Sequence, residues 1–572
     1  MSIFFNGRLV VSPAVNSQVN DSAMFNPNQN VGNVMALLGP CTQGAPNTLL
    51  SFGNPADAVA ALGSGDLVDA ITRAFNPSPE VAGPQTVIAI RVNPAVQSSL
   101  VLLDGSAASV ITLASTDYGQ YTNQIKAKVE AGSVQGLKLT TQIGTSYYSQ
   151  DNVYRAPFSI QYNGGQASAK LIVSNSTVTL QAPSGTPVAT ISLASYPTVQ
   201  QLVDFINTIS GFSATVLSGL GAAATLNSLD TVAAQDVKTA LYTATATLQA
   251  VVDYYNSNAE LYVTAVRTAN AGTLPATLPF TYLSGGSDGT ITNTQWTNAF
   301  TTLQSADVQW VTPVTGVAAI WVMADAHVQY MSNIMRRERR AICGEVLATT
   351  DAQAIIDAGN LNSDRTSLVH LGGYDYNAAG VLTLYAPYIV AAMVAGGFAG
   401  ITPGTPMTNK ALNLRGLERT LRNPTDTDPL ILGGVLCLTP TKTGYRVVKS
   451  ISTWLTNLNF NRVEQSTGAA MDYGVRAVRE AVGVVKGAEG GPAVLSMAVS
   501  IADTTLRALS VPAPVGPGIF VGDATNPPYK NISATLTGDV LALQFQASPG
   551  IPVNYVDMTV FAVPYTGSIS AQ

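Results

Sequence analysis

Charge is scarce in this chain. Only 11% of its 572 residues are Asp, Glu, Lys or Arg, against about 25% in an average soluble domain. Ser, Thr, Asn, Gln, Ala and Gly must cover most of the surface. Such a surface repels its own copies weakly, and it suits a chain largely buried in an assembly. The 28 basic residues are outnumbered by 34 acidic ones, for a formal net charge of −6. That excludes nucleic acid as the main partner, because neutralising phosphates takes dense Lys and Arg. Cys41, Cys343 and Cys437 are far apart and odd in number; they form neither a zinc pattern nor a disulfide framework, and they suit a reducing cytoplasm. The N-terminus, MSIFFNGRLVV, has no basic region followed by a long apolar run, so no signal peptide is expected. The uncharged stretch 377–409 contains LTLYAPYIVAAMVAGGFAGI, about long enough to span a bilayer. Pro387, Gly396, Gly397 and Gly400 interrupt it and no Lys/Arg cluster flanks it, so it reads as a buried core helix.

The rest of the chain shows alternating regimes. Residues 1–30 read as an arm: Leu9-Val10-Val11 is apolar, Pro13 breaks it, and a nearly uncharged polar run follows. Such a segment buries too little surface to fold alone. Asn6-Gly7 would suit a tight turn after a very short strand. From 31 to 100 the pattern is strand, helix, helix, strand: VMALLG, NPADAVAALG, GDLVDAITRAF and QTVIAIRV, with Asn54 and Asp66 near the helix starts. Residues 101–277 turn to Thr, Ser, Val, Gln and Gly in short strand-like runs separated by turn signals, as in a β-sandwich or barrel. Two helices are expected near the end of that region, TVQQLVDFINTI and a longer one through VKTALYTATATLQAVVDYYN. The α/β pattern returns over 278–440. There VAAIWVMADAHVQYMSNIMRRERR reads as one long helix with its basic residues in the last turn, where the macrodipole favours them. A final unit, 441–550, has two helices and a hairpin turning at Gly538-Asp539. Last, over 551–572, Val556, Met558, Val560 and Ala562 alternate with Asp557, Thr559 and Phe561, the period of a strand.

Catalytic patterns are weak. Gly285-Gly286-Ser287-Asp288-Gly289 fits the G-x-S-x-G elbow of hydrolases, but TITNT intervenes before any helix, whereas the elbow needs strand to run directly into helix. Gly219-Leu220-Gly221-Ala222-Ala223-Ala224 fits a loose dinucleotide fingerprint without its βαβ context. His327 and His370 have no second ligand at metal spacing. The chain therefore reads as not an enzyme, with no cofactor and no metal. The basic run 336–340 reads as a solvated helix end or as intersubunit salt bridges. Arg476 and Arg479, with Asp472 and Glu480 nearby, read as a local ion-pair network or as contacts to an acidic neighbour.

The stretch LSGGSDG (283–289), followed by a helix and DVQWVTPV, resembles the loop that marks contractile bacteriophage tail sheath proteins. The order NVMALLGPCTQGAPNTLLSFGNPADAVAALGSGDLVDAITRAF then QTVIAIRVNP is similar to that family's N-terminal pattern, which ends in an arginine-bearing strand. Pro13-Ala14-Val15 stands where the family often has Pro-Gly-Val. The C-terminal order of helix, helix, hairpin and last strand is similar too. The resemblance covers 1–100 and 278–572; the β-rich middle matches only as a variable insertion.

The resemblance implies a multidomain α/β (α+β) fold. It comprises an N-terminal linker arm (1–30), a sheath core (31–100 and 278–440), a β-rich protruding insertion (101–277), a C-terminal domain facing the tail tube (441–550) and a C-terminal arm strand (551–572). It further implies hexameric rings stacked around a tube, and a metastable extended state whose contraction drives the tube through the host envelope for genome ejection. The terminal arms would exchange strands between subunits, through Leu9, Val11, Val556, Met558, Val560 and Ala562. Gly285, Gly286, Asp288 and Gly289 form the family's loop, and Arg476 and Arg479 are candidates to face an acidic tube. Expected partners are copies of the chain itself, the tail tube protein, and baseplate and tail terminator proteins, with no nucleic acid directly and no membrane insertion. The expected place is the virion tail, assembled in the host cytoplasm. The same core builds type VI secretion sheaths and phage-like bacteriocins; the alternatives of a different class are a surface-layer protein or adhesin, and a serine hydrolase built on Ser287 with His327 or His370.

Overall fold

The computed structural model describes residues 3–5, 8–10, 33–217, 219–268, 274–513 and 515–567. Its centre is a seven-stranded sheet in the order Val435–Leu436, Thr366–Val369, Arg340–Gly344, Trp310–Pro313, Val34–Gly39, Thr86–Arg91, Leu50–Phe52. All neighbours are parallel except the last strand, which is antiparallel. The central strands are buried on both faces, which is why VMALLG and TVIAIR are continuous apolar runs rather than alternating ones. Met35 and Leu37 point to one side, under helices Asp66–Phe75 and Pro387–Gly400. Val34, Ala36 and Leu38 point to the other, with Trp296, Phe300 and Trp321 of helices Asn293–Leu303 and Ala318–Asn333.

The apolar stretch tested for a membrane span is helix Pro387–Gly400. It has 14 residues and is buried from Ile389 to Ala399, so it is a core helix of the α/β body. Helix Pro492–Ser510 is long and apolar enough to cross a bilayer by length and composition. It carries the Arg507–Asp503 ion pair and packs against the C-terminal hairpin.

Between strands Thr86–Arg91 and Trp310–Pro313 the chain leaves the body and returns. The excursion has two cores, not one. The nearer is built from sheets Val263–Arg267, Ser109–Ser115, Ser99–Leu103 and Ser146–Val153, Leu137–Ile143, Lys126–Ala131, Leu278–Tyr282 around Leu113, Leu139 and Tyr255. The second, between residues 158 and 246, closes around Phe158, Leu171, Leu180 and Leu202. The C-terminal unit packs helices Gln465–Val482 and Pro492–Ser510 against hairpin Tyr529–Thr537 and Val540–Ala547.

Two helix expectations need correction. The long helix expected through 237–256 is strand Tyr242–Ala244 followed by helix Thr247–Tyr255. Thr243 and Thr245 favour extended backbone, and Asp230, distant in sequence, caps the helix by accepting from the Thr247 and Leu248 amides at 2.8 and 3.1 Å. The helix expected to run through 317–340 ends at Asn333. Arg336 turns the chain with φ +60°, and the basic run is not a solvated helix end. Arg339 and Arg340 are buried, with Arg340 opening a central strand. Buried guanidiniums need acceptors, and Arg339 finds the Ala306 carbonyl at 2.9 Å.

Candidate assembly surfaces and the glycine loop

The loop 283–289 lies where the excursion rejoins the body. Its backbone pairs with the outgoing chain: Val96 N donates to Ser287 O at 2.8 Å and Ser99 N to Ser284 O at 2.8 Å. Asn123 clamps Gly286 from both sides, its Nδ2 donating to the carbonyl and its Oδ1 accepting from the amide, each at 2.8 Å. A Cβ on Gly286 would stand 2.5 Å from Thr122 Oγ1. Gly289 has φ +69° and no room either, since a Cβ would stand 2.5 Å from Pro94 O. Both positions therefore require glycine for close backbone approach.

Asp288 gives the loop its charge. Its Oδ1 accepts from Nη2 of fully buried Arg91 at 2.9 Å and from the Gln120 amide at 3.3 Å. Arg91 Nη1 donates to the carbonyls of Gly44 and Tyr118 at 2.7 and 3.1 Å. One guanidinium thus ties together the edge of the central sheet, the outgoing chain and the returning loop. Ser287 is held through its backbone. Neither histidine sits with it. His327 Nε2 accepts from Arg339 Nη1 at 3.1 Å, and its ring lies tilted against Phe300 with ring centres 5.4 Å apart; burial and the Arg339 charge push its pKa down to about 3. His370 Nε2 lies 2.8 Å from Asp351. The loop is a structural joint rather than a nucleophile elbow.

A second seam joins the body to helix Gln465–Val482. Asp472 accepts from Arg340 Nε at 2.9 Å and from both terminal nitrogens of Arg365 at 2.9 and 3.0 Å. Burial alone would raise its pKa, but the two arginines hold it below the usual carboxylate range. One turn on, Arg476 pairs with Asp307 and Glu480, and Arg479 pairs with Glu338. The ion-pair reading of these two arginines is the one the structure displays. Arg476 is enclosed, 5% exposed, so its guanidinium is taken up within the chain and does not face outward. Arg479 keeps about a third of its side chain exposed.

Among the described residues the C-terminal hairpin is a sheet of two strands. Its inward side chains, among them Leu536, Leu541 and Phe545, are only half covered. They line a cleft of about 820 Å³ with Val478, Val482 and Val494. Residues 551–567 form no strand and, apart from half-buried Pro552 and Asn554, lie exposed, including Val556, Met558, Val560 and Ala562. The root of this segment is anchored: Asn554 Nδ2 donates to buried Glu464 at 2.8 Å. At the other end, strands Ile3–Phe5 and Arg8–Val10 pair antiparallel, with Leu9 opposite Phe4. Val11 lies outside the described residues.

The tail sheath protein of Bacillus phage SP01 is 26% identical over 588 aligned residues, covering 99% of this chain and 98% of that protein. The resemblance to phage tail sheath proteins is borne out. A putative tail sheath protein of Enterococcus phage phiEF24C is 28% identical over 82% of this chain and 84% of its own length. The same fold is seen in a sheath tail protein from Listeria innocua, at a TM-score of 0.53 and 14% identity over 92% of this chain and 94% of that one. A sheath tail protein from Desulfitobacterium hafniense gives 0.50 and 12%, over 94% of this chain and all of the other. No family model matches the chain.

The sequence pointed to the glycine loop but not to its partners. Arg91 could have been suspected, because a charge ending the apolar run TVIAIR must have a buried acceptor. Nothing in the local sequence marks Asn123, Asp307 or the Arg340–Asp472–Arg365 cluster, whose members are brought together only by the fold.

Proposed function

We propose that this chain is the structural subunit of a contractile phage tail sheath, without enzymatic activity. Copies assemble in the host cytoplasm as stacked hexameric rings around a tail tube, in a metastable extended state. Triggered at the baseplate, the rings contract and drive the tube through the host envelope for genome ejection. The energy is the difference between two packings of one sequence, set at assembly. Baseplate and tail terminator proteins bound the polymer. The N-terminal arm, the insertion and the C-terminal arm play the parts of linker, protruding domain and linker, and Arg479 is the remaining candidate to touch the tube.

One observation carries this reading. An apolar segment of strand period lies exposed after a two-stranded hairpin whose two edges are unpaired among the described residues and whose apolar face is half covered. Two strands alone are marginal in water, and an open edge invites a third. Strand addition from a neighbouring copy satisfies both, with Val556, Met558, Val560 and Ala562 turned to the cleft, and with Leu9 and Val11 serving in the N-terminal arm. Electron microscopy of the purified full-length chain tests the proposal. Hollow tubes or stacked six-fold rings are expected. A dispersed monomer at high concentration would overturn it.

A further inference from the structure

The sheet Ser146–Val153, Leu137–Ile143, Lys126–Ala131, Leu278–Tyr282 buries one face and leaves the other open. Ala127, Val129 and Leu139 go inward. On the open face the register places Tyr147 opposite Gln142, Gln142 opposite Lys126, and Lys126 opposite Tyr282. The neighbouring row has Ser149 opposite Thr140 and Thr140 opposite Lys128. Phe280 stands against both lysines, with the ammonium of Lys126 at 4.7 Å and that of Lys128 at 5.5 Å from its ring centre. Lys138 sits opposite Glu130, which also pairs with Lys128 at 2.7 Å. Tyr147 is 67% and Tyr282 60% exposed. Three of the five lysines between residues 101 and 277 are on this one face.

We propose that this face is a binding platform for an acidic polysaccharide. Aromatic rings at both edges offer flat apolar surface to the C–H faces of sugar rings. Amide and hydroxyl side chains between them exchange hydrogen bonds with sugar hydroxyls, and the lysines meet carboxylates. The ring of Phe280 holds two ammonium groups in place, so little side-chain freedom is lost on binding. Tyr147 and Tyr282 are separated by three inter-strand gaps of about 4.8 Å, roughly 14 Å in all, which suits a run of sugars rather than a single one. Three lysines, one of them neutralised by Glu130, are too few for a nucleic acid. The face also lacks the contiguous apolar centre that a stable protein interface needs. The platform lies on the excursion, away from the hairpin and the C-terminal segment, so it stands independently of the assembly proposal.

The test is binding of the full-length chain to immobilised alginate, a polyuronate, and to neutral dextran. Alginate binding that weakens with added salt is expected, with much weaker binding to dextran. Lys126→Gln with Lys128→Gln should lower alginate binding about tenfold, and Phe280→Ala with Tyr282→Ala should lower it several-fold. Lys442→Gln with Lys530→Gln, an equal charge change elsewhere, should leave it unchanged. Circular dichroism confirms that each variant is folded. Equal loss in the Lys442/Lys530 control, or no alginate binding by the wild-type chain, overturns the proposal.

Discussion

Arg91 and Asp288 are 197 residues apart in the chain and 2.9 Å apart in space. Asp288 supplies the carboxylate facing a guanidinium that is otherwise bonded to backbone carbonyls. Removing it leaves a buried charge without its counter-ion. Asp288→Ala should therefore destabilise the body by roughly 2 kcal/mol, less than a fully buried pair because Asp288 is partly solvated. Thermal unfolding of the purified variant reads this. Ser287→Ala, which keeps the backbone pairing to Val96, should unfold and assemble like the wild type.

Gly289→Ala tests the same joint through its backbone. With φ +69° and Pro94 O at 2.5 Å from the new Cβ, the substitution should cost at least about 1 kcal/mol. An unchanged denaturation midpoint would mean that the loop relaxes freely.

The exposed C-terminal segment predicts a separation of folding from assembly. Deletion of 551–572 should leave the far-ultraviolet circular dichroism of the chain nearly unchanged and abolish tubes in electron micrographs. Met558→Asp, which places a charge on the apolar side of the segment, should weaken tube formation in the same assay. Tubes formed as readily by the truncated chain would remove the strand-exchange role.

Glu345 predicts a pH dependence. It is buried, with Oε1 unpartnered. Desolvation, and then Asp357, push its pKa from 4.5 up to about 7. A folded-state pKa above the unfolded one means that the folded chain holds the proton more tightly. This contribution to stability is therefore full below pH 4.5 and lost as pH rises towards 7. Glu345→Gln should be more stable than the wild type at pH 8 by up to about 3 kcal/mol and equal to it at pH 4. Equal melting temperatures at both pH values would show that the side chain is hydrated.

Much of the architecture was readable from periodicity. VMALLG and QTVIAIRV are the central strands because continuous apolar runs of that length suit a sheet covered on both faces. Gly538 with φ +62° turns the hairpin where the sequence placed it. What escaped depended on distant partners. Helix Thr247–Tyr255 begins late because Asp230 caps it. Arg339, near the end of the run 336–340, folds inward because acceptors at the end of helix Asn293–Leu303 and in its following turn await it. The division of the β-rich region into two cores was hidden because short strands of one sheet and of two look alike in sequence. For Arg476 the sequence offered a local ion-pair network or an acidic neighbour, and could not name Asp307, which lies 169 residues away.

The joint at 283–289 also bears on how such a chain can change over generations. The outgoing and returning strands are stitched to each other at Val96–Ser287 and Ser99–Ser284, and Arg91 with Asp288 closes the stitch on the body side. Residues 117–123 come back to this joint through Tyr118, Gln120 and Asn123, and the rest of the excursion hangs from it. A replacement that kept residues 117–123 would leave the bonds to Arg91, Asp288 and Gly286 in place. Selection can then rewrite the outer surface while leaving the frame alone, much as a tool holder accepts different heads.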